Sequence, residues 1–135
     1  MSSPGSENLG ILINGGKTEF ESSLELGAGG IGVYLNGNAS NTNDSVLDIG
    51  NTANAITALT NGIGVVAKGE KATVNILSNG ITLTGHSALN EGSLGVFLEN
   101  GNINNNGTIK TGDYGTAAYL KSTANARTVN LGNLE

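Results

Sequence analysis

Apolar and polar residues alternate in a short segment that recurs along the chain, most clearly at residues 30–36. Each copy has a small residue near its centre. These central residues are Gly10, Gly32, Gly64, Gly95 and, in a looser copy, Ala117, at intervals of 22, 32, 31 and 22 residues. Strand-like copies at a period of roughly 20 to 50 residues indicate a solenoid, in which each turn buries its apolar face against its neighbours.

Alternation within each copy predicts which side chains face the core. Successive side chains of a strand point to opposite faces, so the residues on either side of the central one are predicted to face inward. The inward residues before the central one are Leu9, Ile31, Ile63, Leu94 and Thr116. The central residues themselves are predicted to face outward, together with the positions two and four residues further on.

A second strand follows each copy, with the order apolar, polar, apolar. We place it at residues 24–27, 47–50, 74–77, 109–112 and 129–132. The two longer intervals have room for an additional strand, at residues 55–59 and 80–84. No segment has a convincing helical stripe. The pattern predicts an all-β parallel β-helix, or β-solenoid, of about five rungs of 22–32 residues, with Val33 paired to Val65 one period later.

The composition of the chain argues against several classes of function. Only 13% of the 135 residues are charged, the net charge is −5, and Lys and Arg number six in all. This charge balance does not favour binding to nucleic acid or to an anionic membrane. The chain has no Cys, which removes disulfides and thiolate metal sites. No apolar run reaches the ~20 residues that span a bilayer, so we expect no direct membrane insertion of this segment.

The two ends of the chain have the composition of added segments. Residues 1–7 are typical of an expression leader and residues 134–135 of a cloning scar, which leaves residues 8–133 for the β-helix. We therefore interpret the chain as a fragment of a longer protein.

Residues 30–35, 62–66 and 105–112 resemble the passenger regions of large autotransporter adhesins of Gram-negative bacteria, most closely the fusobacterial type. The resemblance implies a right-handed β-helix that is exported through a C-terminal outer-membrane barrel. It also implies a location on the cell surface, no cofactor, and binding to host cells or to neighbouring bacteria. A competing architecture is the trimeric adhesin head, whose strands residues 45–50 resemble, although that family repeats at about half this period.

Three features of the sequence are candidate chemical sites. Residues 27–32 match G-x-G-x-x-G, but a strand follows where a dinucleotide site needs a helix. His86 is the only histidine and has no partner nearby in sequence for a metal site or a catalytic triad. Glycosylation sequons begin at Asn38, Asn43 and Asn106, as expected in a chain rich in Asn, Ser and Thr. The calcium-binding nonapeptide is absent. We therefore predict no catalytic, cofactor or metal site.

An enzyme remains the alternative function. Polysaccharide lyases and glycosidases also use parallel β-helices, and they need paired carboxylates. Glu25 and Asp48 fall in the same predicted second-strand column, so they could lie on adjacent rungs about 5 Å apart. This pair is the basis of the alternative hypothesis, that the protein is a carbohydrate-active enzyme. The competing interpretation is that the two carboxylates belong to a solvated outer face.

A column of apolar and aromatic residues on the outward side is the candidate ligand-binding face. It contains Leu12, Tyr34, Val66, Phe97 and Tyr119, and the polar residues Asn36, Lys68, Glu99 and Lys121 follow at the strand ends. Aromatic rings beside hydrogen-bonding groups suit a sugar or a protein loop. Alternatively, the rings stack on one another and shield the glycine backbone, or an inserted loop covers the column.

The predicted solenoid also has two open ends. Residues 8–13 and 129–131 would be unpaired strand rows, and such rows favour end-to-end self-association.

Overall fold

The structure is a computed structural model that describes residues 2–3, 8–21, 23–26, 28–50, 56–58, 61–77, 80–83, 92–123 and 128–135. All regular structure in these residues is β-strand, arranged in three sheets. The described residues therefore include no helix that is long and apolar enough to cross a membrane.

The described residues form sixteen strands, β1 to β16 in chain order, which belong to three sheets. Sheet 1 consists of β2 (Leu9–Ile13), β5 (Ile31–Asn36), β8 (Ile63–Lys68), β11 (Leu94–Glu99) and β14 (Thr116–Lys121). Sheet 2 consists of β3 (Gly16–Phe20), β6 (Ser45–Ile49), β9 (Ala72–Ile76), β12 (Asn102–Asn105) and β15 (Val129–Asn130). Sheet 3 consists of β1 (Ser2–Ser3), β4 (Leu24–Leu26), β7 (Ile56–Ala58), β10 (Gly80–Leu83), β13 (Thr108–Lys110) and β16 (Asn133–Leu134).

From β2 onward the chain visits the three sheets in a fixed rotation, and neighbouring strands within a sheet pair in parallel. Val33 pairs with Val65, as the repeat spacing predicts. A chain that returns to the same sheet after each pass, always in parallel register, forms a β-solenoid. The prediction of an all-β parallel solenoid is therefore confirmed.

The core lies between the three sheets. Its fully buried side chains are Leu, Ile, Val and Ala residues that align one above another, such as Leu47, Val74 and Ile103 in sheet 2. In sheet 3 the corresponding buried column consists of Leu24, Ile56, Ile81 and Ile109. Burying each large side chain stabilises the fold by about 1.5–3 kcal/mol relative to leaving it exposed.

The prediction of one second-strand column is wrong. Residues 24–26 and 108–110 belong to sheet 3, whereas residues 45–49 and 72–76 belong to sheet 2. Strands of both sheets have one face on the core and one in water, so both have the same apolar–polar–apolar order and the pattern cannot separate them.

The additional strand is not confined to the longer intervals either. Residues 56–58 and 80–83 form the strands expected there, whereas residues 55, 59 and 84 lie outside the described ranges. The shorter intervals, however, supply β4 and β13 to the same sheet. A short interval therefore also contributes a strand to each of the three sheets, with tighter connections between them.

The glycines of sheet 1 face the core, which corrects the predicted alternation. A Cβ added at Gly32 would lie 2.9 Å from Cγ2 of the buried Ile56. The next residue, Val33, is also fully buried, so strict alternation fails here. The residue before the glycine, Ile31, is only partly buried and lies outside the buried core, as do Ile63 and Leu94. These residues, together with the exposed Leu9 and Thr116, were predicted to face inward.

The glycines are needed because the strands approach one another closely at this point. An added Cβ would lie 2.7 Å from the next strand's carbonyl oxygen at Gly10, 2.4 Å at Gly32, 2.6 Å at Gly64 and 2.4 Å at Gly95. In sheet 1 these glycines are not paired with any residue of the neighbouring strand, although the residues before and after each glycine are paired. Sequence alternation cannot reveal such a local departure from regular pairing.

Strands are also present in both terminal segments. Ser2 and Ser3 pair with residues 25–26, and Asn133 and Leu134 pair with residues 108–109. The division of the chain into a leader, a β-helix and a scar stays a prediction.

Candidate functional site

The aromatic column lies in continuous register on sheet 1. Tyr34 pairs with Leu12 on one side and with Val66 on the other. Phe97 in turn pairs with Val66 and with Tyr119. Five strands thus bring together side chains that are more than 100 residues apart in the chain.

Exposure varies along this column. Leu12 and Tyr119, at the two ends, are 60% and 50% exposed, whereas Val66 is only 5% exposed. Val66 is the smallest residue of the column and lies between the larger Tyr34 and Phe97 of the neighbouring strands. Its inclusion in an accessible ligand-binding face is therefore not supported by its position.

Two of the rings stack on each other. The ring centroids of Phe97 and Tyr119 are 5.3 Å apart and their planes differ by 5°. The Lys68 ammonium lies 5.6 Å from the centroid of Phe97. An aromatic pair contributes about 0.5–1.5 kcal/mol beyond burial, and an exposed cation–π contact about 0.5–1 kcal/mol. The interpretation that the rings stack on one another thus holds for this part of the column.

The polar residues at the strand ends also form a row in register. Asn36 aligns with Lys68, Lys68 with Glu99, and Glu99 with Lys121. Asn36 Nδ2 donates a hydrogen bond to Asn14 Oδ1 at 2.9 Å, and Lys121 Nζ lies 3.7 Å from Glu99 Oε2. Asn36, Glu99 and Lys121 therefore already have side-chain partners, and the Lys68 ammonium lies over the Phe97 ring.

An open groove of about 310 Å³ lies beside this row. Three of the predicted residues line it, namely Tyr34, Asn36 and Lys68. The other lining residues were missed by the sequence analysis, and they are Asn38, Ala39, Gly69, Glu70 and Asn100. Leu12, Val66, Phe97, Tyr119, Glu99 and Lys121 do not line the groove.

The loop that follows β5 forms one wall of the groove and is held by hydrogen bonds to the strand end. The Asn36 carbonyl accepts from Asn41 Nδ2 at 2.7 Å and from Ser45 Oγ at 2.6 Å. Lys71 Nζ donates to the Asn41 carbonyl. The interval of 32 residues between Gly32 and Gly64 indicates from sequence alone that residues are inserted there. The position of the inserted loop in the fold, however, depends on these hydrogen bonds.

The carboxylates Glu25 and Asp48 do not lie on adjacent strands of one sheet. Glu25 is in sheet 3, in register with Thr57, whereas Asp48 is in sheet 2, in register with Glu19 and Asn75. The predicted pair is wrong because the second-strand column that contained it mixes two sheets.

Asp48 is instead part of a charged cluster on the outer face of sheet 2. Lys17 Nζ lies 2.8 Å from Asp48 Oδ2 and 3.0 Å from Glu19 Oε1, and Asn75 Nδ2 donates to Asp48 Oδ1 at 2.7 Å. Burial raises the pKa of Asp48, but the hydrogen bonds from Lys17 and Asn75 and the lysine charge outweigh it, so the pKa lies below its ordinary value. An ionised aspartate of this kind is a poor proton donor.

The remaining motifs acquire no chemical role from the described geometry. Residues 28–32 of the glycine-rich motif lead into β5 and not into a helix, whereas residue 27 and His86 lie outside the described residues. The sequon asparagines 38, 43 and 106 are all exposed. Within the described ranges, no group of three or more His, Cys, Asp or Glu residues could hold a metal ion.

No family model matches the chain, and no match was found among curated proteins or solved structures.

Proposed function

We propose that this chain is a passenger segment of a large bacterial autotransporter adhesin, exported as part of a larger outer-membrane protein and displayed on the cell surface. In this proposal its parallel β-helix is right-handed, with about five rungs of 22–32 residues. The segment presents a binding surface for a glycan or protein of a host cell or of a neighbouring bacterium. The β-solenoid fold and the resemblance of residues 30–35, 62–66 and 105–112 support the proposal.

The groove at Tyr34 is the observation on which the binding role depends. It joins one aromatic ring to an amide, Asn36, an ammonium group, Lys68, and a carboxylate, Glu70. A ring covers the C–H face of a sugar or an apolar side chain, while amides and charged groups supply directional hydrogen bonds. The groove is open, which suits one or two sugar units or a protein loop better than an enclosed small molecule.

The stacked rings extend this surface along the sheet. Phe97 and Tyr119 lie on the same column as Tyr34, and Lys68 lies between the groove and the Phe97 ring. A ligand seated against Tyr34 and Lys68 would therefore continue onto Phe97. In this arrangement Glu99 and Lys121, which pair with each other, border the surface.

The test is the double variant Tyr34→Ser with Phe97→Ser. Removing anchor side chains typically costs about 2 kcal/mol or more, which is roughly thirtyfold in affinity. We expect binding to a broad glycan panel and to host or bacterial cells to fall by at least about thirtyfold, while the circular dichroism spectrum stays that of the parent. Tyr114→Ser is the matched control, because Tyr114 is exposed and lies outside the column and the groove.

The double variant has two further possible outcomes, of which the first contradicts the binding role. A folded double variant that adheres like the parent would assign the rings to structure alone. Loss of the fold in the double variant would show that the rings are needed for packing. Lys68→Ala, which leaves both rings in place, should then still weaken binding if the groove is the site.

The alternative of a carbohydrate-active enzyme loses its structural basis, because Glu25 and Asp48 lie in different sheets. We therefore propose no catalytic role for them.

A further inference from the structure

The asparagine side chains that line the groove use their oxygens in contacts within the protein. Asn36 Oδ1 accepts a hydrogen bond from the Asn38 backbone N–H at 3.3 Å, and Asn38 Oδ1 accepts from the Ser40 backbone N–H at 3.1 Å. Asn100 Oδ1 accepts from the Thr123 backbone N–H at 2.8 Å. A backbone N–H can only donate, so these contacts fix which end of each amide is the oxygen. The hydrogen bonds of the described residues include none from Asn38 Nδ2, so this exposed side chain has a donor to offer a ligand.

Lys68 supplies a positive charge at the same groove. In register it lies between Asn36 and Glu99. Glu99 Oε2 lies 3.7 Å from Lys121 Nζ, and no ion pair between described residues includes Lys68. Its ammonium lies 5.6 Å from the centroid of the Phe97 ring. An ammonium group has three donors and no acceptor, so Lys68 suits a ligand group that accepts hydrogen bonds and carries negative charge.

The Tyr34 ring lies beside these donors at a separation that suits a sugar acid. Tyr34 pairs with Val66, so Lys68 is one strand across and two residues further along, with its Cα about 8 Å away. In a uronic or sialic acid the carboxylate is attached directly to the pyranose ring. The ring can therefore cover Tyr34 while the carboxylate reaches Lys68 and Asn38. An acidic peptide side chain has no flat C–H face beside its carboxylate and would leave the tyrosine ring unused.

We propose that the groove binds an acidic glycan, with the carboxylate of one sugar unit on Lys68 Nζ and Asn38 Nδ2 and the pyranose ring of that unit against Tyr34. The inference rests on the proposed function, because it names the class of ligand that the same groove takes. Charge-assisted hydrogen bonds are roughly twice as strong as neutral ones. The carboxylate should therefore decide the affinity between sugars that are otherwise alike. Glu70, which also lines the groove, opposes an anion and already has an interaction within the protein.

The first test compares acidic oligosaccharides with their methyl esters. Tetragalacturonic acid and sialyllactose are the probes, because esterification removes the charge and leaves the rings and hydroxyl groups in place. Isothermal titration calorimetry of the full chain measures the affinity for each form. We expect each acid to bind at least about tenfold more tightly than its ester. The affinity for the acid should fall as the NaCl concentration rises, because salt screens exposed charges, whereas the affinity for the ester should not.

Substitutions in the groove test the assignment to particular groups. Lys68→Gln should remove the preference for the acid, and Asn38→Asp, which keeps an oxygen for the loop but replaces the donor with a charge, should weaken acid binding at least about tenfold. Glu70→Gln removes a like charge and should strengthen it. Lys110→Gln and Asn43→Asp are the matched controls, because they make the same changes at exposed positions outside the groove. Circular dichroism of each variant establishes that the fold is retained.

The outcomes separate this inference from the proposed function. Equal affinity for acids and esters, or an acid preference that survives Lys68→Gln, overturns the inference and leaves the groove as a binding site. Weaker binding in both Lys68→Gln and Glu70→Gln would indicate a neutral ligand and overturn it as well. So would undiminished adhesion to cells whose acidic sugars have been removed enzymatically. A parent protein that binds neither cells nor any member of a broad glycan panel would overturn the proposed function itself.

Discussion

At the scale of single residues, the glycines of sheet 1 decide how closely its strands can stack. Gly64 lies between two such contacts, because an added Cβ would be 2.6 Å from the Gly95 carbonyl oxygen and 2.6 Å from Cγ2 of Ile81. One contact is with backbone and the other with a fully buried side chain, so neither neighbour can move aside easily.

Gly64→Ala is therefore expected to lower the free energy of unfolding by about 1–3 kcal/mol through overpacking. The sign of this change in the free energy of unfolding is informative, since Gly→Ala at an unstrained position usually stabilises a protein by about 0.4–1 kcal/mol. Gly101→Ala is the control, because its nearest atoms would be 3.2 Å away or more and its cost should be smaller. Urea denaturation measures both, and a Gly64→Ala protein as stable as the parent would show that the sheet can open without cost.

Asp48 should make stability depend on pH in the acid range. Because its pKa is lower in the folded protein, the ionised carboxylate favours folding. That contribution is complete above the unfolded pKa of about 3.9 and is lost as pH falls through the folded-state pKa. Lys17 has a raised pKa from its hydrogen bonds to Asp48 and Glu19, so its contribution is lost only as pH rises through that raised value, in the alkaline range.

Asp48→Asn is expected to reduce the drop in melting temperature between pH 7 and pH 2.5, and to lower the melting temperature at pH 7. Asp44→Asn is the matched control, since Asp44 is an exposed aspartate in the loop before β6. Thermal unfolding followed by circular dichroism measures both variants. An acid dependence unchanged by Asp48→Asn would show that the Lys17–Asp48 pair contributes nothing to the folded state.

At the scale of strands, the repeat predicts sheet 1 well because its marker is longer and more specific than those of the other sheets. A glycine followed by an apolar residue and an aromatic or branched residue defines both phase and register, as in the pairing of Tyr34 with Val66. The strands of sheets 2 and 3 have the same short apolar–polar–apolar pattern. Asp48 and Lys110 were therefore assigned to a common column although they lie in different sheets.

The candidate site was predictable to a similar, limited degree. The repeat spacing correctly aligned Tyr34 with Phe97 and Tyr119 through Val66, and placed Asn36 and Lys68 at the strand ends. It did not reveal that Asn38 and Asn100 line a groove with Tyr34. Those positions depend on how the inserted loop folds against the next strands, which is determined by hydrogen bonds between distant residues and not by local periodicity.

At the scale of the whole molecule, the two ends of the solenoid are not equivalent. At the N-terminal end Ile13, Phe20 and Leu24 are buried, and β1 covers the edge of sheet 3. At the C-terminal end the inward columns stop at exposed residues such as Leu120. Stability in a solenoid is approximately a sum over turns and their interfaces, so the same substitution should cost less towards the uncovered end.

Leu98 and Leu120 offer a direct measurement of this difference, because they are the same residue type and adjacent members of one column. Leu98 is 2% exposed and Leu120 is 43% exposed. Leu98→Ala should cost about 2–5 kcal/mol of unfolding free energy, as for a buried leucine, since it loses contacts with the strands on both sides. Leu120 has a strand on one side only, so Leu120→Ala should cost less than half as much. Urea denaturation, at concentrations where the protein is monomeric, gives both values. Equal losses would contradict the prediction, because they would mean that Leu120 is as well covered in the monomer as Leu98 is in the interior.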